Sequence, residues 1–496
     1  MNKKKVAFRV DSSFEIGSGH VMRCLALAEA LREQGAELFF LCKEHEGNFN
    51  SQIEKKGFKL HILNYPGDFN TIEDAEKTVS VLRAEGGVEW LVADSYEIDH
   101  QWEKLVGNDT RNIMVIDDLA NRSHDCDILL DQNYHHDMNK RYKGLLPNRC
   151  ITLLGPRYAL LRREFVEARK ETREKNAQSH RILISLGGSD PANATLIALE
   201  AVLSLNRQDM ETDVIAGSSN REKEKIKKLC DEHSNVNFHL HVDNMAQLMA
   251  KADLAIGAGG ISNWERCCVG LPAIALSIDL IQEKILKAMA DDGILLYAGK
   301  LGEASPEKIG FTITAVLDNP HFKSYLSKRS MKLVDGNGVK RVVEIMLPRI
   351  IKLRPAESAD CDNVYNWRNA EENRMQSFDK LPIEYASHKM WYEQTVKSGD
   401  KLLLIGEEED KPVGVIRYDF NDNQAKISVY LVPGMHGKGY GSYLIKAGSS
   451  WLRKNCPDIK KINAEIVPEN SASEKVFISA GYKPRYKLLI KDLTDE

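Results

Sequence analysis

The chain has 496 residues, 43% hydrophobic and 28% charged; at ~150 residues per domain it holds about three folded units and is neither fibrous nor disordered. Its 68 Lys and Arg against 72 Asp and Glu leave a formal charge of −4, which argues against a nucleic-acid partner bound through a broad basic face but leaves room for a local basic pocket. Nine dispersed Cys without a Cys-x-x-Cys pair indicate neither a disulfide framework nor a thiolate zinc site, and no run reaches the ~18 apolar residues that span a bilayer.

At the amino terminus the basic Met1–Lys5 is followed by the apolar Val6–Phe8, which Arg9 and Asp11 cut at once. This is not a signal peptide, so a cytoplasmic location and no membrane partner are expected. To about Tyr158, short β-type runs alternate with helical stretches: Lys5–Val10, Glu37–Cys42, Lys59–Leu63, Trp90–Asp94, Asn112–Ile116 and Asp127–Leu130. The alternation predicts right-handed crossovers onto a parallel sheet. The polar run Glu167–His180 reads as a linker or exposed crossover helix. A second parallel sheet is expected from Arg181–Ser185, Thr212–Ala216, Val236–His241, Leu254–Gly257 and Ala273–Leu276, with Cys267 and Cys268 as buried apolar residues on a helix. The turn Asp335-Gly-Asn-Gly338 and a helix to Pro348 close this region. Helices Ser358–Ala370 and Glu384–Lys397 then precede strands Lys401–Gly406, Pro412–Phe420 and Gln424–Val432 in meander order, which predicts an antiparallel sheet in an α+β domain. The expected domains are 1–175, 176–348 and 349–496.

The first strand runs into Asp11-Ser-Ser-Phe-Glu-Ile-Gly-Ser-Gly-His20, with a helix from Val21. Ligands of open α/β sheets bind outside the carboxyl ends of strands, where glycines let backbone amides approach closely. His20 at that helix start is a candidate base, since the dipole there favours neutral imidazole; a capping or core histidine is the plainer reading. Ser185-Leu-Gly-Gly-Ser-Asp190 closes a strand similarly. Gly257-Ala-Gly-Gly-Ile-Ser-Asn-Trp-Glu265 follows another strand, its loop suited to a diphosphate and Glu265 to a ribose diol. A tight turn with a solvent-facing Glu is the alternative. Asp125-Cys-Asp127 mimics a metal motif but leads into an apolar strand and reads as a turn.

In the last domain, Pro433-Gly-Met-His-Gly-Lys-Gly-Tyr-Gly441 precedes an amphipathic helix, Ser442 to about Lys454. Its glycines direct amides inward at a helix start, a cradle for a pyrophosphate. This loop resembles the acetyl-CoA signature of GNAT N-acetyltransferases, with His436 where Arg or Gln is usual; Gly437, Lys438, Gly439 and Gly441, with Asn470 capping a later helix, are the implied cofactor-binding residues. Phe477 stands where many GNAT enzymes have a Tyr acid, leaving Tyr482, Tyr430 or a water-linked group as candidates, and Glu465 is a candidate base or an exposed strand residue. Trp367-Arg-Asn369, Arg374, His388 and Trp391 resemble the acceptor-side helices of the GNAT subgroup that contains the pseudaminic-pathway acetyltransferase.

The stretch Phe8–Leu25, with Ile116-Asp-Asp118, Arg122, His124-Asp-Cys-Asp127, Asp131-Gln-Asn133 and Tyr158–Phe165, resembles the UDP-sugar hydrolases of pseudaminic acid biosynthesis over roughly residues 5 to 345. The Gly259–Pro272 segment resembles the nucleotide-binding helix of the lipid-II N-acetylglucosaminyltransferase, whose two-lobed GT-B fold that family shares. The resemblance implies an α/β protein with a two-lobed GT-B-like doubly wound region followed by an α+β GNAT domain. It further implies His20 as general base, Tyr96 as an active-site tyrosine, and Arg162, Gly259, Gly260, Glu265 and Gln282 as substrate-binding residues. Where the family often has Asn-Gln, this chain has Ile281-Gln282, which leaves the Asn's sugar contact without a counterpart. The implied substrates are UDP-linked amino sugars with acetyl-CoA as co-substrate and no metal. A GT-B glycosyltransferase, or a UDP-sugar binding module fused to an acetyltransferase, are the alternatives.

Overall fold

The computed structural model describes residues 4–170, 180–187, 190, 193–217, 220–240, 242–301 and 303–485. The chain divides into two compact units, Met1–Leu347 and Pro348–Glu496. Among the described residues, no helix is long and apolar enough to cross a membrane.

The first unit holds two sheets. Strands β1 (Lys5–Val10), β2 (Glu37–Cys42), β3 (Lys59–Ile62), β4 (Val88–Asp94), β5 (Thr110–Ile116), β6 (Ile128–Asp131) and β7 (Ile151–Leu154) are all parallel, in the order β3-β2-β1-β4-β5-β6-β7. Strands β8 (His180–Ser185), β9 (Met210–Ala216), β10 (Val236–Leu240), β11 (Leu254–Ala258), β12 (Ala273–Ser277) and β13 (Leu296–Lys300) form the second parallel sheet, in the order β10-β9-β8-β11-β12-β13. Strand order reverses between β1 and β4 and again between β8 and β11, and at such switch points the flanking loops part to open a crevice. The loops after β1 and β11 carry the glycine turns of the sequence.

Two strands of this unit are additional to those expected. β7 is an edge strand with an exposed face, and β13 carries Gly299 at φ +113° beside a register shift against β12, so neither reads as a buried run. The linker residues 171–179 and His241 lie outside the described residues. Helix Gly338–Met346 returns to the first sheet, where Val342, Val343 and Met346 join the core beside Val6, Phe8 and Trp90. Trp90 Nε1 donates to the Met346 carbonyl at 2.8 Å. An added Cβ at Gly338 would clash with the Ala159 backbone, so glycine is required where this helix begins.

In the second unit, β15 (Lys401–Glu408), β16 (Lys411–Asn421) and β17 (Gln424–Leu431) form the expected antiparallel meander, and β14 (Lys352–Pro355), a strand additional to those expected, pairs antiparallel with β15. The fifth strand, β18 (Lys461–Ala464), corrects the all-antiparallel expectation. It pairs parallel to β17, because helix Tyr440–Asn455 crosses over between them. The pairing covers only Gln424–Ile427, so β17 extends from Ser428 to Leu431 without a β18 partner, immediately before the glycine loop.

Candidate active sites

Helix Gly19–Glu33 starts behind the β1 loop, and His20 is its second residue. β1 and β4 are in register at Val10 and Asp94, which brings the end of β4 against the helix start. His20 Nδ1 lies 2.6 Å from Asp94 Oδ1. Arg23, one turn along the same helix face, donates to both Asp94 oxygens, Nε to Oδ2 at 2.6 Å and Nη2 to Oδ1 at 2.5 Å. Asp94 is fully buried, which alone would raise its pKa, but Arg23 and His20 outweigh the burial and hold the carboxyl well below the usual carboxylate range. A lone pair on Nδ1 would face an ionised oxygen at 2.6 Å, so Nδ1 carries the hydrogen, and in the neutral ring Nε2 is then the acceptor.

Tyr96 sets its ring edge on His20, centroids 5.0 Å apart at 87°. Its hydroxyl lies beside Asp118; burial first, then the Asp118 charge, push the phenol's pKa up and keep it protonated. Asp118 itself is held by Asn133, whose Nδ2 donates to Oδ2 at 3.0 Å, and faces Arg23 Nη1 at 3.8 Å. His20 and Tyr96 are thus in direct ring contact. The supporting Asp94, Arg23 and Asp118 carry no motif of their own in the sequence; the three-residue spacing of His20 and Arg23 is the signal that could have found Arg23.

The second lobe faces this turn. An added Cβ at Gly19 would sit 3.4 Å from Ile261 Cδ1, at the start of helix Ile261–Val269. Gly260 precedes that helix at φ +89°. The Gly259 amide donates to Gln282 Oε1 at 3.2 Å, and a side chain at Gly259 would collide with Gln282. Glu265 is buried and not solvent-facing: it accepts from Arg162 Nη2 at 3.2 Å, while Arg162 Nη1 also reaches Glu164 Oε1 at 2.9 Å. Burial raises the Glu265 pKa against the pull of Arg162. The fold therefore joins Arg162 and Glu265 to each other, beside the Gly259-Gly260 turn. In the loop after β8, Gly188 and Ser189 lie outside the described residues. Asp190 accepts from the amides of Ala194 and Thr195, both at 2.9 Å. Asp125 and Asp127 are bound by Arg149 at 2.6 and 3.1 Å, and Asp127 also accepts from the Ile113 amide, which makes this segment a structural turn.

In the second unit, Gly437 (φ +74°) and Gly439 (φ +84°) are both left-handed, and an added Cβ at either meets nothing within 4 Å. A backbone-lined, open loop at the start of helix Tyr440–Asn455 fits the pyrophosphate of a coenzyme A thioester. Lys438 is exposed on this loop. Gly441 has another function, since its Cβ would press on Val476 Cγ1 at 3.3 Å, where helix Ser471–Ser479 packs. His436 Nε2 pairs with Asn373 Oδ1 at 3.0 Å, and the Gly434 amide donates to Glu372 Oε1 at 2.9 Å, so helix Glu371–Arg374 straps the loop. Asn470 Oδ1 caps the Ser473 amide at 2.9 Å, and its Nδ2 donates to the Gln376 carbonyl at 3.4 Å. Phe477 packs in the core, and Glu465 is an exposed residue paired with Lys426 at 2.6 Å. Tyr430, its pKa pushed up by burial, faces Arg368 and Arg417; Arg417 also lies 5.8 Å from the Trp391 ring.

Residues 182–283 match the family model of the glycosyltransferase family 28 C-terminal domain, and residues 351–483 that of the acetyltransferase (GNAT) domain. With the two doubly wound lobes of the first unit, these matches make the chain a two-lobed GT-B-type unit joined to a GNAT unit, a bifunctional sugar-modifying enzyme. The chain is 31% identical over 261 residues to the UDP-2,4-diacetamido-2,4,6-trideoxy-β-L-altropyranose hydrolase of Campylobacter jejuni, covering 52% of this chain and 86% of that protein. It belongs to the family of that hydrolase, with the GNAT domain in addition. It is also 27% identical to the uncharacterized protein MJ1062 of Methanocaldococcus jannaschii, over 97% of both chains. Among solved structures, MurG of Acinetobacter baumannii aligns with a TM-score of 0.49 at 14% identity, over 69% of this chain and 99% of that one.

Proposed function

We propose that the first unit hydrolyses UDP-2,4-diacetamido-2,4,6-trideoxy-β-L-altropyranose to the free sugar and UDP. The second unit, in this reading, N-acetylates the 4-amino group of UDP-4-amino-4,6-dideoxy-N-acetyl-β-L-altrosamine with acetyl-CoA. The observation that carries the hydrolase reading is the Asp94–His20 pair, at a strand-order switch and facing the Gly259-Gly260 turn. Nε2 of His20 takes a proton from water as the water oxygen bonds to the anomeric carbon. The bond from that carbon to the diphosphate oxygen breaks, its electrons leave with UDP, and attack from the opposite face inverts the centre. Asp94 stabilises the imidazolium that forms. The turn before helix Ile261–Val269 offsets charge on the departing diphosphate, and Glu265 accepts from the ribose diol.

In the second unit, acetyl-CoA supplies the acyl group as a thioester when bound. The loop from Gly437 to Gly441 holds its pyrophosphate through backbone amides, and the acceptor amine must lose its proton before attack. Replacing His20 by Gln is expected to lower UDP release by ~10²–10⁴-fold while acetyl-CoA consumption continues. Loss of both activities together would contradict separate sites. UDP release with water alone would exclude a strict requirement for a sugar acceptor.

A further inference from the structure

Behind the Gly257–Gly260 turn lies a charge that no part of the hydrolytic mechanism uses. Arg266, on helix Ile261–Val269, is 2% exposed. Its guanidinium donates through Nη2 to the Ala258 carbonyl at 2.7 Å and to Asn263 Oδ1. Both acceptors are neutral, and Nε has no hydrogen-bond partner. No ion pair to Arg266 occurs among the described residues. The adjoining Glu265 gives its carboxylate to Arg162. Gly257, the fourth residue of β11, has no room for a side chain: an added Cβ there would clash with Arg266 Nη1 and with the Ser185 carbonyl of β8. The guanidinium thus lies against the Gly257 backbone, directly under the turn.

A buried charge without a direct ion pair is costly, and the neighbouring Glu265 charge offsets only part of that cost. Burial lowers the Arg266 pKa only to about 10, so the cost is borne by a cation at neutral pH. Charge fixed in a poorly solvated site acts strongly on an anion bound a few ångströms away. We infer that Arg266 is the built-in counter-charge for the nucleotide diphosphate at the Gly257–Gly260 turn, acting through the turn without touching the ligand. This rests on the reading of that turn as the diphosphate site. The arginine gives the turn a selective preference for nucleotides carrying a diphosphate over neutral nucleosides, beyond what the helix start and its amides supply.

Two ligands separate this function from a packing function: UDP, which carries the diphosphate, and uridine, which does not. Calorimetric titration of the full chain with each should show Arg266→Met weakening UDP by ~10–100-fold and leaving uridine within about twofold. Arg266→Lys, which keeps the charge but not the fork of hydrogen bonds, should retain most of the UDP preference. Equal weakening of both ligands by Arg266→Met, or an unchanged preference for UDP, would overturn the inference. Should Arg266→Met not fold, loss of the UDP preference in Arg266→Lys would overturn it, and retention would support it. If the unaltered chain does not bind UDP more tightly than uridine, the diphosphate reading of the turn fails as well.

Discussion

At the residue scale, the hydrolase proposal depends on a carboxylate 74 positions from the histidine it orients. Asp94→Asn removes the charge that fixes the Nδ1 hydrogen of His20, and is expected to lower kcat for UDP release by ~10²–10⁴-fold with a smaller change in KM. The same change leaves Arg23 without its carboxylate, so a loss of about 3–5 kcal/mol in denaturant unfolding should accompany it. Because the folded pKa of Asp94 is depressed, its stabilisation is present above the unfolded carboxylate pKa and is lost only as pH falls through the lower folded value.

Asp131 has the opposite sign. Burial pushes its carboxyl up to about 7 against the pull of Arg141, with the Asn133 amide at 2.9 Å, the Tyr142 hydroxyl at 3.2 Å and Arg141 Nε at 3.4 Å as partners. The native state then holds a proton that the unfolded chain has released, so the contribution of Asp131 is full below pH ~4 and is lost as pH rises through ~7. Relative to Asp131→Asn, the parent should lose stability steadily between pH 5 and 7; parallel pH profiles for the two proteins would contradict the buried acid. His20 and Tyr96 could be singled out as candidates from the sequence because their motifs are local. The Asp94 and Asp131 environments were not, because each arises from strands and turns brought together only in the fold.

At the element scale, two kinds of glycine do different work. Gly439, left-handed with open space ahead of it, keeps the loop accessible. Gly439→Val fills that space and forces a β-branched residue to φ > 0, so acetylation should fall at least ~100-fold by a coenzyme A release assay while UDP release from a pre-acetylated substrate is unchanged. Equal loss of both reactions would mean global damage. Gly338 instead lets a helix begin against the Ala159 backbone; Gly338→Ala should destabilise the first unit by about 1–3 kcal/mol through overpacking, measured by thermal unfolding. The sheets were legible from short β-branched runs between helices. The edge strands β7 and β13 and the parallel pairing of β18 were not, because an exposed face and a bulge weaken the pattern, and strand direction depends on a crossover that periodicity does not encode.

At the scale of the whole molecule, each unit contains its own sheets and core clusters, which favours two activities that fail independently. The near-neutral composition gave no hint of where positive charge would matter, yet Arg23 and Arg266 are both buried beside proposed reaction or binding atoms. The measurement that most directly tests the two-site proposal is mass spectrometry of products from UDP-4-amino-4,6-dideoxy-N-acetyl-β-L-altrosamine with acetyl-CoA, using the parent chain and His20→Gln. The parent should yield free diacetamido sugar, UDP and coenzyme A, and His20→Gln should stop at the acetylated UDP-sugar. UDP released at the parental rate by His20→Gln, or no acetylated product from either protein, would contradict it.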